Sequence, residues 1–460
     1  MLAVPIRTSD AVRPDIPSRR GRRAVVAGLP AAVVTLAWAL SRPLPMIDDW
    51  GFIRHARAGT GFFWASRPGE ALLHWAVFRA SDTHPVPPLL LLAALNVAVG
   101  ALIWMFAEHR WGAAVATLSA LAWAVLPNRG STRMWSSCLP NLAAAALVMA
   151  ALVLADRKAA GRGRVAAVIA LATVASLTYE GAAALAAGAV LLVAWQQPAR
   201  RSRRNVAVIG GSVMATAAAW VATHTQKTGS VHVAANASRL VSTQFGIGLW
   251  PSRTVVFGVV MFAVMAMAVL VPVLGRHRVP EEQAVVWGAA AMALGAAVFL
   301  ATGFPLTDAG LLDRANLFTD LGTSLVIGGA LGLLWRGHRV VAVGAAIAVM
   351  SLLAWGNVAS VASYVHSAQD ARAVLRDVRA LPQYPAGPII IGPLPDHNGV
   401  AGFTSFYDLT DAIAVVNRLP RGPDARVTVT DDQATALARS ATVYRFCPAS
   451  KTLIAWRHSC

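Results

Sequence analysis

Long apolar runs broken by short polar stretches make up most of the chain, and the spacing of those breaks is the first structural signal. A helix needs about 20 apolar residues to cross roughly 30 Å of hydrocarbon. On that measure the pattern predicts eleven membrane-spanning helices, near residues 24–40, 88–107, 112–127, 139–155, 165–178, 181–195, 206–223, 254–274, 283–301, 316–335 and 340–362. Several are short, Pro30, Pro127 and Pro140 fall near helix ends, and little more than "TYE" separates the fifth from the sixth. From about residue 365 the long runs stop. "HSAQDARAVLRDVRALP" and "SFYDLTDAIAVVNRL" have helical periodicity, whereas "GPIIIGPLP", "ARVTVT", "TVYRF" and "TLIAW" read as strands. The expected fold is an all-α polytopic membrane protein closed by a small α/β C-terminal domain.

Charge sets the expected orientation. With the N-terminus cytoplasmic, "SRRGRR", "EHRW", "DRKAAGRGR", "QQPARRSRR", "GRHR" and "WRGHR" all fall inside, as the positive-inside rule requires. The expected division is a cytoplasmic tail at 1–23, a transmembrane region at 24–364 with a first outer loop at 41–87, and an extracytoplasmic domain at 365–460. The loops 128–138 and 224–253 and the segment "GFPLTDAGLLDR" then also lie outside.

Composition agrees with a membrane protein: 56% of residues are hydrophobic and only 13% charged. A net charge of +18 raises nucleic acid as a partner, but the basic residues sit in clusters between apolar runs, which is topology and not a binding face. Cys138, Cys447 and Cys460 lack metal or redox spacing. Cys447 and Cys460 share the oxidising side in this topology, where a disulfide between them can form. No cleavable signal peptide is expected, because the first apolar run follows a polar, Arg-containing tail and lacks a small-residue cleavage site. Abundant Ala, Arg, Trp and Val with little Lys point to a bacterial GC-rich genome.

Candidate chemistry begins at "PLPMIDDWGF", residues 43–52, where Asp48 and Asp49 follow the first span. A carboxylate at a membrane surface can deprotonate a hydroxyl, and a neighbour can hold a cation or tune its pKa by repulsion. The alternative is a helix cap for "WGFIRHAR". Successive residues point in different directions, so one of the two faces an acceptor. Asp49 is favoured.

An acid pair after the first span, a long first outer loop, about eleven spans and a soluble outer C-terminal domain resemble the GT-C superfamily of integral-membrane glycosyltransferases. That resemblance includes protein O-mannosyltransferases, aminoarabinose transferases and mycobacterial arabinofuranosyl- and mannosyltransferases. It implies a catalytic base in the first loop, a polyprenyl-phosphate sugar donor, and an acceptor that is an envelope glycan, a lipid or a protein. No cofactor is implied for certain; some members use a divalent cation and others do not.

Further along the first loop, "FFWASRPGEALLHW" predicts a helix starting near Pro68, with Glu70 and His74 four residues apart on one face. Arg67, just before it, is a candidate donor-phosphate contact. Glu70 and His74 are a candidate polar wall or metal pair, or the polar side of an interfacial helix. Expulsion of a phosphate calls for outer arginines, whose planar fork suits phosphate oxygens. Arg129 and Arg133 in "LPNRGSTRMW" and Arg314 in "LLDRANLF" are the outer arginines in question. Under the resemblance Arg314 matches a late outer arginine that contacts the lipid phosphate; pairing with Asp313 or Asp320 is the structural alternative. Tyr179 and Glu180 in "LTYEGAAAL" are candidates for the acceptor or sugar site. His224, His232 and Arg239 lie in a candidate lid, and His397, Asp408 and Asp411 are expected to be structural.

The function expected is inverting sugar transfer at the outer face of a bacterial cytoplasmic membrane, with membrane lipids as surroundings and no nucleic acid. No P-loop or dinucleotide fingerprint provides a soluble nucleotide site. A transporter or lipid flippase is the main rival; it predicts inverted repeats and matched broken spans, which the sequence lacks. A noncatalytic assembly or sensor protein rests on the tail alone.

Overall fold

The computed structural model describes residues 17–41, 43–59, 67–157, 161–197, 199–224, 279–302, 307, 310–381, 384, 388–404, 408–419, 425–428, 430–458 and 460, excluding the side chains of 17–19, 217–224, 300–302 and 311. The span predicted at 254–274, the loop at 225–253, and with it His232 and Arg239, lie outside the described residues.

Helices dominate. They are α1 (Pro17–Gly28), α2 (Val33–Leu40), α3 (Asp48–Ala58), α4 (Pro68–Ser81), α5 (Val86–Trp111), α6 (Ala113–Val125), α7 (Ser131–Met134), α8 (Leu139–Ala155), α9 (Arg162–Thr178), α10 (Ala183–Trp195) and α11 (Arg200–His224). After the undescribed stretch come α12 (Pro280–Thr302), α13 (Leu317–Gly337), α14 (Arg339–Val378), α15 (Asp408–Asn417) and α16 (Asp431–Leu437). Among the described residues six helical stretches are long and apolar enough to cross a membrane: Arg20–Leu40, Val86–Trp111, Ser136–Ala155, Pro280–Phe299, Leu312–Gly337 and Arg339–Val378. Ala113–Val125 and Glu180–Trp195 are shorter apolar helices. The chain is thus a multi-pass membrane protein by helix length and composition. Pro30 sits in a single 3-10 turn, Leu29–Ala32, which interrupts the first span where its ring removes a backbone donor.

Small residues bring the spans together. A Cβ built at Gly288 would lie 2.7 Å from the Val326 amide nitrogen, and one at Gly295 would lie 2.6 Å from that of Thr319. Helices α12 and α13 therefore touch backbone to backbone, as membrane helices do when small residues line the contact. Helix α13 also packs on α6, and almost every side chain from Leu317 to Gly332 is buried. It is the central helix of the bundle.

The C-terminal residues form a four-stranded sheet, order β2-β1-β3-β4, from Ala425–Val427, Ile389–Ile391, Val443–Cys447 and Thr452–Ala455. Strand β1 runs parallel to β2 and β3, with Ile389 opposite Ala425 and Ile390 opposite Val443; β3 and β4 form an antiparallel pair. All four predicted strands are present. A disulfide joins Cys447 to Cys460 and fastens the chain end to β3.

The expected boundary near 365 falls inside a helix. Helix α14 continues unbroken for 40 residues, about 60 Å, twice the hydrocarbon thickness. Its charged last turns hid this continuity, because its apolar face changes partner from lipid to protein. Ala371, Val374 and Val378 there share one apolar cluster with Ile389 and Ile391 of β1, Leu409 and Ile413 of α15, and Trp50, Phe52 and Ile53 of α3. The tail and the segment that follows the first span thus bury a common core.

Candidate functional site

The acid pair opens α3 as its first two residues, and the two carboxylates have different surroundings. Asp49 is 2% exposed. Its Oδ2 accepts the Met46 N–H at 3.0 Å and its Oδ1 accepts the Ser137 hydroxyl at 2.5 Å. The N-cap of α3 is Ile47, which makes no side-chain cap bond, and the two aspartates follow it inside the helix, so neither is the N-cap that the cap reading of the pair expects. Burial pushes the Asp49 carboxyl up to about 7, with the Ser137 and Met46 bonds opposing. Asp48 is half-buried and interacts electrostatically with Glu70, His74 and Arg314. The turn before the pair is strained: Ile47, a β-branched residue, has φ 45°. Trp135 holds that turn by donating its indole N–H to the Met46 carbonyl at 3.1 Å.

Helix α4 supplies the next wall. It starts at Pro68 as predicted, with Arg67 at its N-cap. Arg67 donates to Glu70 Oε2 at 3.1 Å and to Glu180 Oε1 at 2.5 Å, and lies 5.3 Å over the Tyr179 ring. Burial works against the Arg67 charge, but Glu70 and Glu180 outweigh it and hold the guanidinium above its ordinary value. Burial raises Glu70, with Arg67 opposing. His74 is buried and driven down to about 3, so it is neutral. Its Nε2 lies 3.1 Å from the Ser137 carbonyl and must carry the proton, because a carbonyl only accepts. Nδ1 then faces Glu70 Oε1 at 3.9 Å. Among the described residues no group of three or more His, Cys, Asp or Glu is arranged to hold a metal ion.

Arg314 enters from the 3-10 turn Leu311–Asn316 that leads into α13. Half-buried, it lies 5.1 Å over the Trp135 ring and interacts electrostatically with Tyr179, Asp48 and Glu70. Tyr179 stacks on Phe318 of α13, ring centroids 5.9 Å apart. Gly310, with φ 88°, makes room for this turn: a Cβ there would lie 2.7 Å from the Gly399 carbonyl oxygen. Asp48, Arg67, Glu70, Tyr179, Glu180 and Arg314 thus converge from four separate parts of the chain.

Arg133, the other candidate phosphate contact, has its bonds elsewhere. It is fully buried, donates to the Trp123 and Ala124 carbonyls at 3.0 and 2.9 Å, and also binds Asn357. Those carbonyls end α6, so Arg133 caps a helix C-terminus with positive charge. Arg129 does similar work, binding Asn96 Oδ1 at 3.1 Å and pairing with Asp320 at 3.4 Å. Asp313 accepts from the Ser131 N–H at 3.1 Å, and Asn128 donates to Asp320 at 3.0 Å. Asp313 thus ties the 3-10 turn before α13, and Asp320 ties α13 itself, to the 128–133 loop. Ser137 and Trp135 were not singled out in the sequence: a serine and a tryptophan in an outer loop carry no spacing signal.

No protein-family model matches the chain, and no curated protein matches it. Solved structures do. ArnT from Cupriavidus metallidurans in the apo state superposes with a TM-score of 0.51 at 15% identity, over 90% of this chain and 94% of that one. The same protein bound to undecaprenyl phosphate has a TM-score of 0.46 at 15% identity, over 93% of this chain and 96% of that one. Archaeal oligosaccharyltransferase AglB from Archaeoglobus fulgidus, in complex with an inhibitory peptide and a dolichol-phosphate, has a TM-score of 0.43 at 11% identity, over 88% of this chain and 64% of that one. With apo ArnT matched along nearly its whole length, this chain shares the fold of that protein.

Proposed function

We propose that this protein is a membrane glycosyltransferase that moves a sugar from a polyprenyl-phosphate donor to a hydroxyl of an envelope glycan, lipid or protein acceptor. The observation that carries the reading is the convergence of Asp48, Arg314 and Arg67 around Glu70, within a fold shared with ArnT. Asp48, half-buried at the α3 N-terminus, removes the acceptor proton as the hydroxyl oxygen attacks the anomeric carbon. The bond from that carbon to the phosphate oxygen breaks, the configuration inverts, and polyprenyl phosphate leaves with the negative charge. Arg314 stabilises that charge with its planar fork. Arg67, already bound by Glu70 and Glu180, completes the positive wall and holds those carboxylates toward sugar hydroxyls. Asp49 acts through position: with both oxygens engaged, it fixes the turn that aims Asp48.

The donor is lipid-borne in this reading, so no soluble nucleotide site is needed. The C-terminal sheet and the acid pair share one core, so both belong on the same side of the membrane, the outer one by the distribution of arginines. The Cys447–Cys460 disulfide supports that side, since disulfides persist in oxidising compartments.

Purified protein in nanodiscs, given a labelled polyprenyl-phosphate sugar and a panel of envelope acceptors, is expected to transfer label. The double variant Asp48→Asn with Asp49→Asn is expected to fold and transfer none. Full transfer by the folded double variant would overturn the mechanism.

A further inference from the structure

The tail helix α15 is packed on the helix that carries the acid pair. Arg54 of α3 meets Asp411 of α15 at 2.8 Å, and the Asp411 side chain is only 4% exposed. One turn earlier on α3, Gly51 leaves space for the same carboxylate: a Cβ there would lie 3.1 Å from Asp411 Oδ2. One turn later, Arg57 donates to the Val415 carbonyl at the other end of α15 at 2.7 Å, and to Asp82 at 2.5 Å. Between these polar contacts, Trp50, Phe52 and Ile53 share an apolar cluster with Leu409, Ile413 and Val415.

Apolar contact alone is non-directional and leaves a helix able to slide or rotate against its partner. A short ion pair to a buried carboxylate, placed between a glycine contact and a carbonyl contact, removes that freedom. Arg54 stands six residues after Asp48, about 9 Å along the same rigid helix. Any shift of α3 at Arg54 is therefore passed to Asp48. Displacements of about 1 Å at a reacting group cost on the order of a hundredfold in rate.

We infer that the C-terminal unit sets the aim of the catalytic base: Asp411 of α15, by its ion pair to Arg54, is a positioning residue for Asp48. The rate consequence rests on the glycosyltransferase reading; the control of α3 does not. In this arrangement the tail is an integral part of the site, and the sugar-transfer step depends on a helix some 360 residues away in sequence. The donor-phosphate contacts stand apart, because Arg67 and Arg314 are on other elements.

The test uses the full chain in nanodiscs with Asp411→Asn, Arg54→Met, Arg54→Lys, and the exchange of charges, Arg54→Asp with Asp411→Arg. Hydrogen exchange is read on peptides covering 48–58, and transfer is read as kcat and donor KM. Either neutralising variant is expected to speed exchange in α3 by about tenfold or more, with α5 and α13 unchanged, because the opening is local. Each is also expected to lower kcat by about tenfold or more while donor KM stays within about twofold, the signature of lost alignment without lost binding. Arg54→Lys and the charge exchange are expected to recover most of both. Wild-type exchange in both neutralising variants, or equal loosening throughout the bundle, would overturn the inference. If α3 loosens as expected but the wild-type protein transfers no sugar, the positioning role stands and the glycosyltransferase reading fails.

Discussion

Asp48 and Asp49 are neighbours with opposite surroundings, so their single substitutions are expected to separate chemistry from stability. Asn at 48 removes the base from a half-buried position at the start of α3, and the lost attraction of a carboxylate to the helix N-terminus costs about 0.3 to 1 kcal/mol. Loss of a general base lowers the rate by about a hundredfold to ten-thousandfold. Asn at 49 keeps one acceptor oxygen where two are used, leaving either the Met46 N–H or the Ser137 hydroxyl without its partner in a buried setting. That costs about 1 to 3 kcal/mol. Its signature includes pH. Burial carries the Asp49 carboxyl from an ordinary 3.8 up to about 7, so the folded protein holds this proton more tightly than the unfolded chain. The stabilisation is fully present below about pH 4 and is lost as pH rises through about 7, a change of about 4 kcal/mol. Tryptophan-fluorescence melts are expected to run higher at pH 5 than at pH 8, with the difference reduced in Asp49→Asn. Transfer measured beside the melts decides the roles. An Asp48→Asn protein that keeps more than about a tenth of wild-type kcat would refute the assignment. So would an Asp49→Asn protein that melts like wild type and is inactive.

Three further outcomes follow from the same geometry. Arg133→Met is expected to lower stability by about 3 kcal/mol, by uncapping α6 and breaking a buried charged network, while leaving donor KM unchanged; an unchanged melt with a raised donor KM would return Arg133 to the phosphate site. Replacing both Cys447 and Cys460 by Ser removes a cross-link between positions 13 apart and is expected to cost the C-terminal sheet about 3 kcal/mol, read as faster hydrogen exchange in β3 and β4. A topology reporter fused after Cys460 is expected to read extracytoplasmic, and a cytoplasmic signal would remove the ground on which the outer-face assignment rests.

Much of the architecture was legible because it is local. A hydrophobic run long enough to cross a bilayer is visible without knowing its neighbours, and six of the predicted spans coincide with described helices long and apolar enough to cross a membrane. The start of α4 at Pro68 and the four strands were legible for the same reason, since proline and period-two alternation act within a few residues. The continuity of α14 was not legible, because a charged stretch reads as the end of a span whether or not the helix goes on.

The sequence by itself determined that this is a multi-pass membrane chain with an acid pair just beyond its first span and with arginines that lie apart from the basic clusters between its apolar runs. The tertiary structure alone decided how those residues divide their work. Arg133 and Arg314 are equivalent as letters, but one ends among the carbonyls of α6 and the other beside Trp135 at the acid pair. Asp48 and Asp49 are adjacent, but Asp49 is buried and accepts the hydroxyl of Ser137, 88 residues further on, while Asp48 is half-buried. The reason is physical: burial, pairing and pKa depend on which distant groups share a few ångströms of space, and hydrophobic periodicity carries no record of them.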